Sequence, residues 1–119
     1  MKDYTQIEIS SLTTEDALND DEFKLKPQDV FEYVAIDKII LKSFAEYMQR
    51  DDISETMIWV SRYCIDGLEP QYDKMESPVV KMAVGQAVES HKRRLMKEYL
   101  SRYKKFVGAK QQRQKDKDT

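Results

Sequence analysis

One cysteine, one histidine, three glycines and three prolines are spread over 119 residues, and each shortage removes a class of protein. A lone cysteine excludes an internal disulfide and any cysteine-based zinc cluster. A lone histidine excludes the paired-histidine metal motifs. Gly67, Gly85 and Gly108 stand far apart, so there is no glycine-rich loop to cradle phosphates. So few turn formers also argue against a many-turned β-sandwich and against long structureless loops. No apolar run is long enough to span a bilayer, and no signal-peptide pattern is present. Together these give the expectation of a soluble, cytoplasmic protein with no membrane contact.

What is present is charge and aromatic surface. Hydrophobic residues make up 40% of the chain, with seven Tyr, four Phe and one Trp, enough for one modest core in a single domain. The net charge of −2 conceals two poles. Residues 1–76 carry 8 Lys/Arg against 18 Asp/Glu, a balance of −10; residues 77–119 carry 12 against 4, a balance of +8. Such poles attract each other within one molecule or between copies, or the basic one attracts an external anion. Composition does not choose among these. Back-folding of the acidic segment onto the basic helix is one expectation that follows.

The periodicities predict an all-α protein, a small bundle of three main helices with a long basic C-terminal helix. Residues 1–26 read as an acidic, poorly ordered segment, 27–108 as the helical domain and 109–119 as a charged flexible tail. "YTQIEIS" carries a weak strand alternation at Ile7 and Ile9. The first helix is expected to follow Pro27, with Val30, Val34, Leu41, Phe44 and Met48 on its apolar face and Phe31, Ile36, Ile39, Ile40 and Tyr47 widening it. The run "VFEYVAI" is β-branched and aromatic, which leaves a strand or a break before Asp37 open. A second helix carries the stripe Ile53, Met57, Val60 and Cys64, opens on a capping box of Asp52 and Glu55, and closes at Gly67. Ser77 and Pro78 open the third, whose stripe runs Val80, Val84, Val88, Leu95, Tyr99 and Phe106.

The stretch "HKRRLMKEYLSRYKKF", residues 91–106, is the candidate functional element. At 100° per residue, Arg93, Lys97 and Lys104 line up opposite Leu95 and Phe106, and Arg94 and Lys105 flank them. Between His91 and Lys110 the only acid is Glu98. A face that serves solubility alone usually mixes signs, whereas a one-sided row of cations suits DNA phosphates. An ordinary solvated face and an anionic membrane surface are the competing readings. Tyr99 and Tyr103 lie on or beside the apolar stripe and read as buried packing rather than base-stacking platforms. His91 occupies a stripe slot, and Cys64 reads as a small buried hydrophobe. Neither has a partner pattern for catalysis, so no enzyme, catalytic residue, metal or cofactor is expected. Trp59 with Met96, Leu100 and Val107, beside Met82, forms an apolar fringe for a protein partner or for homo-oligomer formation.

Two segments carry a resemblance. "WVSRYCIDGLEP", followed by a helix rich in Lys, Arg and Tyr, resembles a group of small phage and prophage proteins of unknown function, related to N-terminal segments of phage replisome-organiser-like proteins. The resemblance covers residues 39–110. It implies structural roles for Tyr63, Gly67, Glu69 and Pro70, a bacterial host cell, and a link to DNA replication or a replication protein; it implies no activity. The leading expectation is a non-enzymatic accessory protein that contacts DNA or a replication nucleoprotein complex through Arg93, Arg94, Lys97, Lys104 and Lys105. The alternative is a protein-interaction or adaptor module that leaves nucleic acid alone. A ribbon-helix-helix regulator using "YTQIEIS" is a third, poorly fitted by the long acidic spacer that follows.

Overall fold

The computed structural model describes residues 2–32, 34 and 37–117. Its helices are α1 (Thr14–Leu18), α2 (Lys38–Glu46), α3 (Arg50–Asp66) and α4 (Pro78–Lys117), with 3-10 turns at Ile9–Ser11, Pro27–Asp29 and Tyr72–Lys74. The all-α expectation holds, and no strand occurs among the described residues. "YTQIEIS" runs into the first 3-10 turn, which removes the ribbon required by the ribbon-helix-helix reading.

Two compact units divide the chain: Met1–Val30 with Met96–Thr119, and Phe31–Leu95. This differs from the expected division at 1–26, 27–108 and 109–119. α4 contributes its first half to the second unit and its remainder to the first.

In the unit Phe31–Leu95, the core is Ile40 from α2, Val60, Tyr63 and Cys64 from α3, Met75, and Val80, Val84, Ala87 and Val88 from α4. Phe44, Met48 and Trp59 pack against it from partly exposed positions. Each large aliphatic side chain fully buried here contributes about 1.5–3 kcal/mol. The helix expected from Pro27 is shorter than its periodicity suggests. Pro27 opens only a 3-10 turn, and α2 starts at Lys38 after Asp37 in an extended conformation. Phe31, Glu32 and Val34 of the run in between lie outside any helix. Val34, Ile39 and Leu41 are exposed in consequence, and Ile36 lies outside the described residues.

α3 shows how local chemistry sets boundaries. Its N-cap is Gln49, and Asp52 accepts the Gln49 backbone N–H at 3.3 Å, so the capping box sits one turn before the expected Asp52–Glu55 pair. Thr56 is fully buried, with its hydroxyl donating to the Asp52 carbonyl at 2.7 Å. At the other end Gly67 has φ 71° and ψ 17°, the left-handed region. Its N–H donates to the Tyr63 carbonyl at 2.9 Å, and the Leu68 N–H to the Arg62 carbonyl at 3.4 Å. Gly67→Ala is therefore expected to lower stability by about 1 kcal/mol, because a Cβ strains this conformation; an unchanged denaturant midpoint would contradict that. Ser77 caps α4 as its sequence position suggests, accepting the Val80 N–H at 3.4 Å.

In the other unit, α1 opens on a reciprocal box: Thr13 Oγ1 accepts the Asp16 N–H at 3.3 Å and Asp16 accepts the Thr13 N–H at 2.8 Å. Tyr4, Ala17, Asp20 and Val30 from the N-terminal residues are buried, as are Tyr99, Tyr103 and Val107 from α4. α4 stays helical to Lys117, past Gly108, where the fading periodicity suggests a flexible tail.

Candidate anion-binding face of the basic helix

The five candidate cations divide into two groups. Arg93 and Arg94 belong to the unit Phe31–Leu95. Arg94 Nη1 lies 4.0 Å from Asp37 Oδ1, while Asp37 Oδ2 accepts the Ser90 hydroxyl at 2.6 Å. Arg93 turns its Nε toward the Glu89 carbonyl at 3.4 Å and lines a groove shared with Asp37 and Glu89.

Lys97, Lys104 and Lys105 belong to the other unit. With Leu100 and Ser101 they line an open depression of about 470 Å³. Among the described residues no carboxylate lies within ion-pair distance of these three ammonium groups. The one acid of the stretch, Glu98, is taken up by Arg102, whose Nε lies 3.2 Å from Glu98 Oε1 across one helical turn. Lys97 and Lys104 are seven residues apart, about 10 Å along the axis. The depression thus combines three cations of one sign with the Ser101 hydroxyl and the apolar Leu100 side chain.

The opposite side of this helical stretch is occupied. Phe23 packs its ring 5.4 Å from Tyr99, 5.1 Å from Tyr103 and 5.1 Å from Phe106. The Tyr4 ring meets Phe106 edge-on at 5.8 Å. Tyr103 donates its hydroxyl to Asp20 Oδ2 at 2.8 Å, and the Tyr4 hydroxyl faces Asp20 Oδ2 at 2.9 Å and Glu22 Oε2 at 2.7 Å. Two glutamines hold the backbone. Gln111 Nε2 donates to the carbonyls of Tyr4 (2.8 Å) and Ile7 (2.7 Å). Gln114 Oε1 accepts the Tyr4 N–H at 2.9 Å, and its Nε2 donates to the Lys2 carbonyl at 3.0 Å. Tyr99 and Tyr103 are packed, as the stripe implied, and cannot stack on bases.

This cluster sets its own protonation. Burial raises the Asp20 carboxyl, but hydrogen bonds from Tyr103, the Glu22 N–H and Tyr4, with the Lys2 charge, outweigh it and hold the group below its ordinary value. Burial, then Glu22 and Asp20, pushes the Tyr4 hydroxyl far up; burial and Asp20 do the same for Tyr103. Both phenols therefore remain donors.

His91 is buried between the rings of Phe31 and Tyr63, each centred 6.2 Å away. Burial, and then the Arg94 charge, lowers its pKa. Acid is thus expected to act on the two units in separate windows. Both groups have folded pKa values below their unfolded ones, so each contribution is complete above the unfolded value and lost as pH falls through the folded one. For His91 the loss begins below 6.5, and for Asp20 below 3.8. Ring-proton NMR of His91 and Tyr103 across an acid titration checks this, and simultaneous loss at both sites would contradict it.

The apolar fringe is rearranged. Val107 is fully buried and cannot meet a partner. Met96 and Leu100 are half-buried. Trp59 lies partly buried on its core with the Arg62 guanidinium 5.4 Å above the ring. Cys64 is buried, which pushes its thiol up. Among the described residues no group of three or more His, Cys, Asp or Glu could hold a metal ion, and no helix is long and apolar enough to cross a membrane.

Comparison with protein-family models, with curated proteins and with solved structures finds no match to this chain.

Proposed function

We propose that the chain is a non-enzymatic accessory protein that binds the phosphate backbone of DNA through Lys97, Lys104 and Lys105. The observation that carries this reading is the uncompensated cation cluster: three ammonium groups around one depression, with Glu98 already engaged by Arg102. Such a face gains affinity by releasing counterions and reads no base sequence. Arg93 and Arg94 contribute less, since both lie outside this depression and Arg94 lies 4.0 Å from Asp37 of its own unit. The slight overall negative charge means that attraction is local to this face rather than long-range. The setting in a mobile element and in DNA replication rests on the resemblance of residues 39–110.

Fluorescence anisotropy with labelled single- and double-stranded DNA tests the proposal, at low and at near-physiological salt. Binding that weakens with salt and is lost on changing Lys97, Lys104 and Lys105 together to Ala supports it. No binding at low salt overturns it and leaves the adaptor reading, which rests on the half-buried Trp59, Met96 and Leu100.

A further inference from the structure

The groove in the unit Phe31–Leu95 differs in kind from the lysine depression. It is lined by both signs of charge and by two highly exposed apolar side chains, Ile39 (71%) and Met82 (65%). Mixed charge makes it a poor phosphate site, and the exposed Ile39 and Met82 suit a protein surface better than nucleic acid. Three of its α4 residues, Lys81, Gly85 and Glu89, fall on a single i±4 ridge of the kind that packs into the grooves of another helix.

Gly85 has no reason in the chain itself. A Cβ built there meets only the Tyr72 hydroxyl, at 3.8 Å, an ordinary contact. Glycine in a helix interior is nonetheless destabilising relative to alanine. What its missing side chain does provide is room for a second backbone to come close on the groove side. Lys81 and Glu89 are exposed and, among the described residues, neither has an ion-pair partner.

We propose that this groove is the interface of a two-fold symmetric dimer in which α4 of one copy crosses α4 of a second copy in antiparallel fashion at Gly85. The charge pattern selects a second copy as the occupant. Lys81 stands four residues before Gly85 and Glu89 four residues after it, each about 6 Å along the axis. A two-fold axis at Gly85 exchanges these positions. Lys81 of each copy then faces Glu89 of the other, so the ridge is complementary to itself, as an isologous interface requires. Ile39 and Met82 supply the apolar surface around the crossing. This places self-association on the first half of α4, away from the fringe of Met96, Leu100 and Val107.

Sedimentation equilibrium of the full chain at micromolar concentrations tests the proposal. The wild type is expected to associate to twice the chain mass. Lys81→Glu and Glu89→Lys are each expected to weaken association by about tenfold or more, because each places two like-charge pairs across the crossing. An equimolar mixture of the two variants restores both attractive pairs and recovers the dimer, as does the double variant K81E/E89K within one chain. A wild type that stays monomeric, single variants that associate as the wild type does, or a mixture that fails to recover would each overturn the proposal. Both positions are solvent-exposed, and recovery in the mixture and the double variant reads out folded protein directly.

Discussion

Replacing Tyr4 with Ala is expected to cost about 4 kcal/mol of stability, the range for deleting a fully buried aromatic side chain. Tyr4 lies in the acidic N-terminal residues, where composition suggests little structure. It is nevertheless fully buried, packs edge-on against Phe106, and shares the carboxylates of Asp20 and Glu22. Tyr4→Phe separates the two contributions. It keeps the ring and removes a hydroxyl bonded to charged groups, at about 1.5–3 kcal/mol. Denaturant unfolding of the three proteins measures both, and a loss below ~0.5 kcal/mol for Tyr4→Ala would show that the N-terminal residues do not support α4. The same packing bears on the expected back-folding of the acidic segment. The rings and the Tyr–Asp hydrogen bond that join residues 2–30 to α4 lie on the side opposite Lys97, Lys104 and Lys105, whereas Gln111, one heptad beyond Lys104, holds the Tyr4 and Ile7 carbonyls next to the lysine face. Removing residues 2–30 is therefore expected to expose Tyr99, Tyr103 and Phe106.

The second large effect concerns binding. Changing Lys97, Lys104 and Lys105 to Ala is expected to weaken DNA affinity at low salt on the order of a hundredfold, since each phosphate neutralised releases counterions. Changing Arg93 and Arg94 to Ala is expected to alter it only a few-fold, because neither lines the lysine depression and Arg94 lies 4.0 Å from Asp37. A reversed order, with the arginines dominant, would move the anion site into the other unit. Neither set touches a buried side chain, so circular dichroism spectra should match the wild type.

Local chemistry makes parts of this fold legible in sequence. Gly67 ends α3 because only glycine takes that conformation cheaply, and Ser77–Pro78 opens α4 because both residues suit the first turn. The stripe from Val80 to Tyr99 is buried as its spacing requires. Sequence and structure part where tertiary contacts override local signals. Val30 to Tyr47 carry a helical spacing, yet α2 begins only at Lys38. Short apolar runs of this kind are compatible with more than one local structure. Gln111 and Gln114 look like tail residues because they are polar, although they continue the buried side of α4 beyond Tyr103 and Val107 at intervals of three and four. That continuation, together with the otherwise partnerless Tyr4 and Phe23, is the available signal. In the candidate site, the row of five cations is visible from spacing alone. Its division is not, because Asp37 is more than fifty residues from Ser90 and Arg94 in sequence and meets them only in the fold.

The salt dependence of DNA binding tests the central claim most directly. Plots of log affinity against log salt for the wild type and for the variant with Lys97, Lys104 and Lys105 changed to Ala should be linear. On duplex DNA their slopes should differ by about 2.7, roughly 0.9 for each of three phosphates that the variant no longer neutralises. Equal slopes would mean that these lysines touch no phosphate, and the anion-binding role of the basic helix would fall.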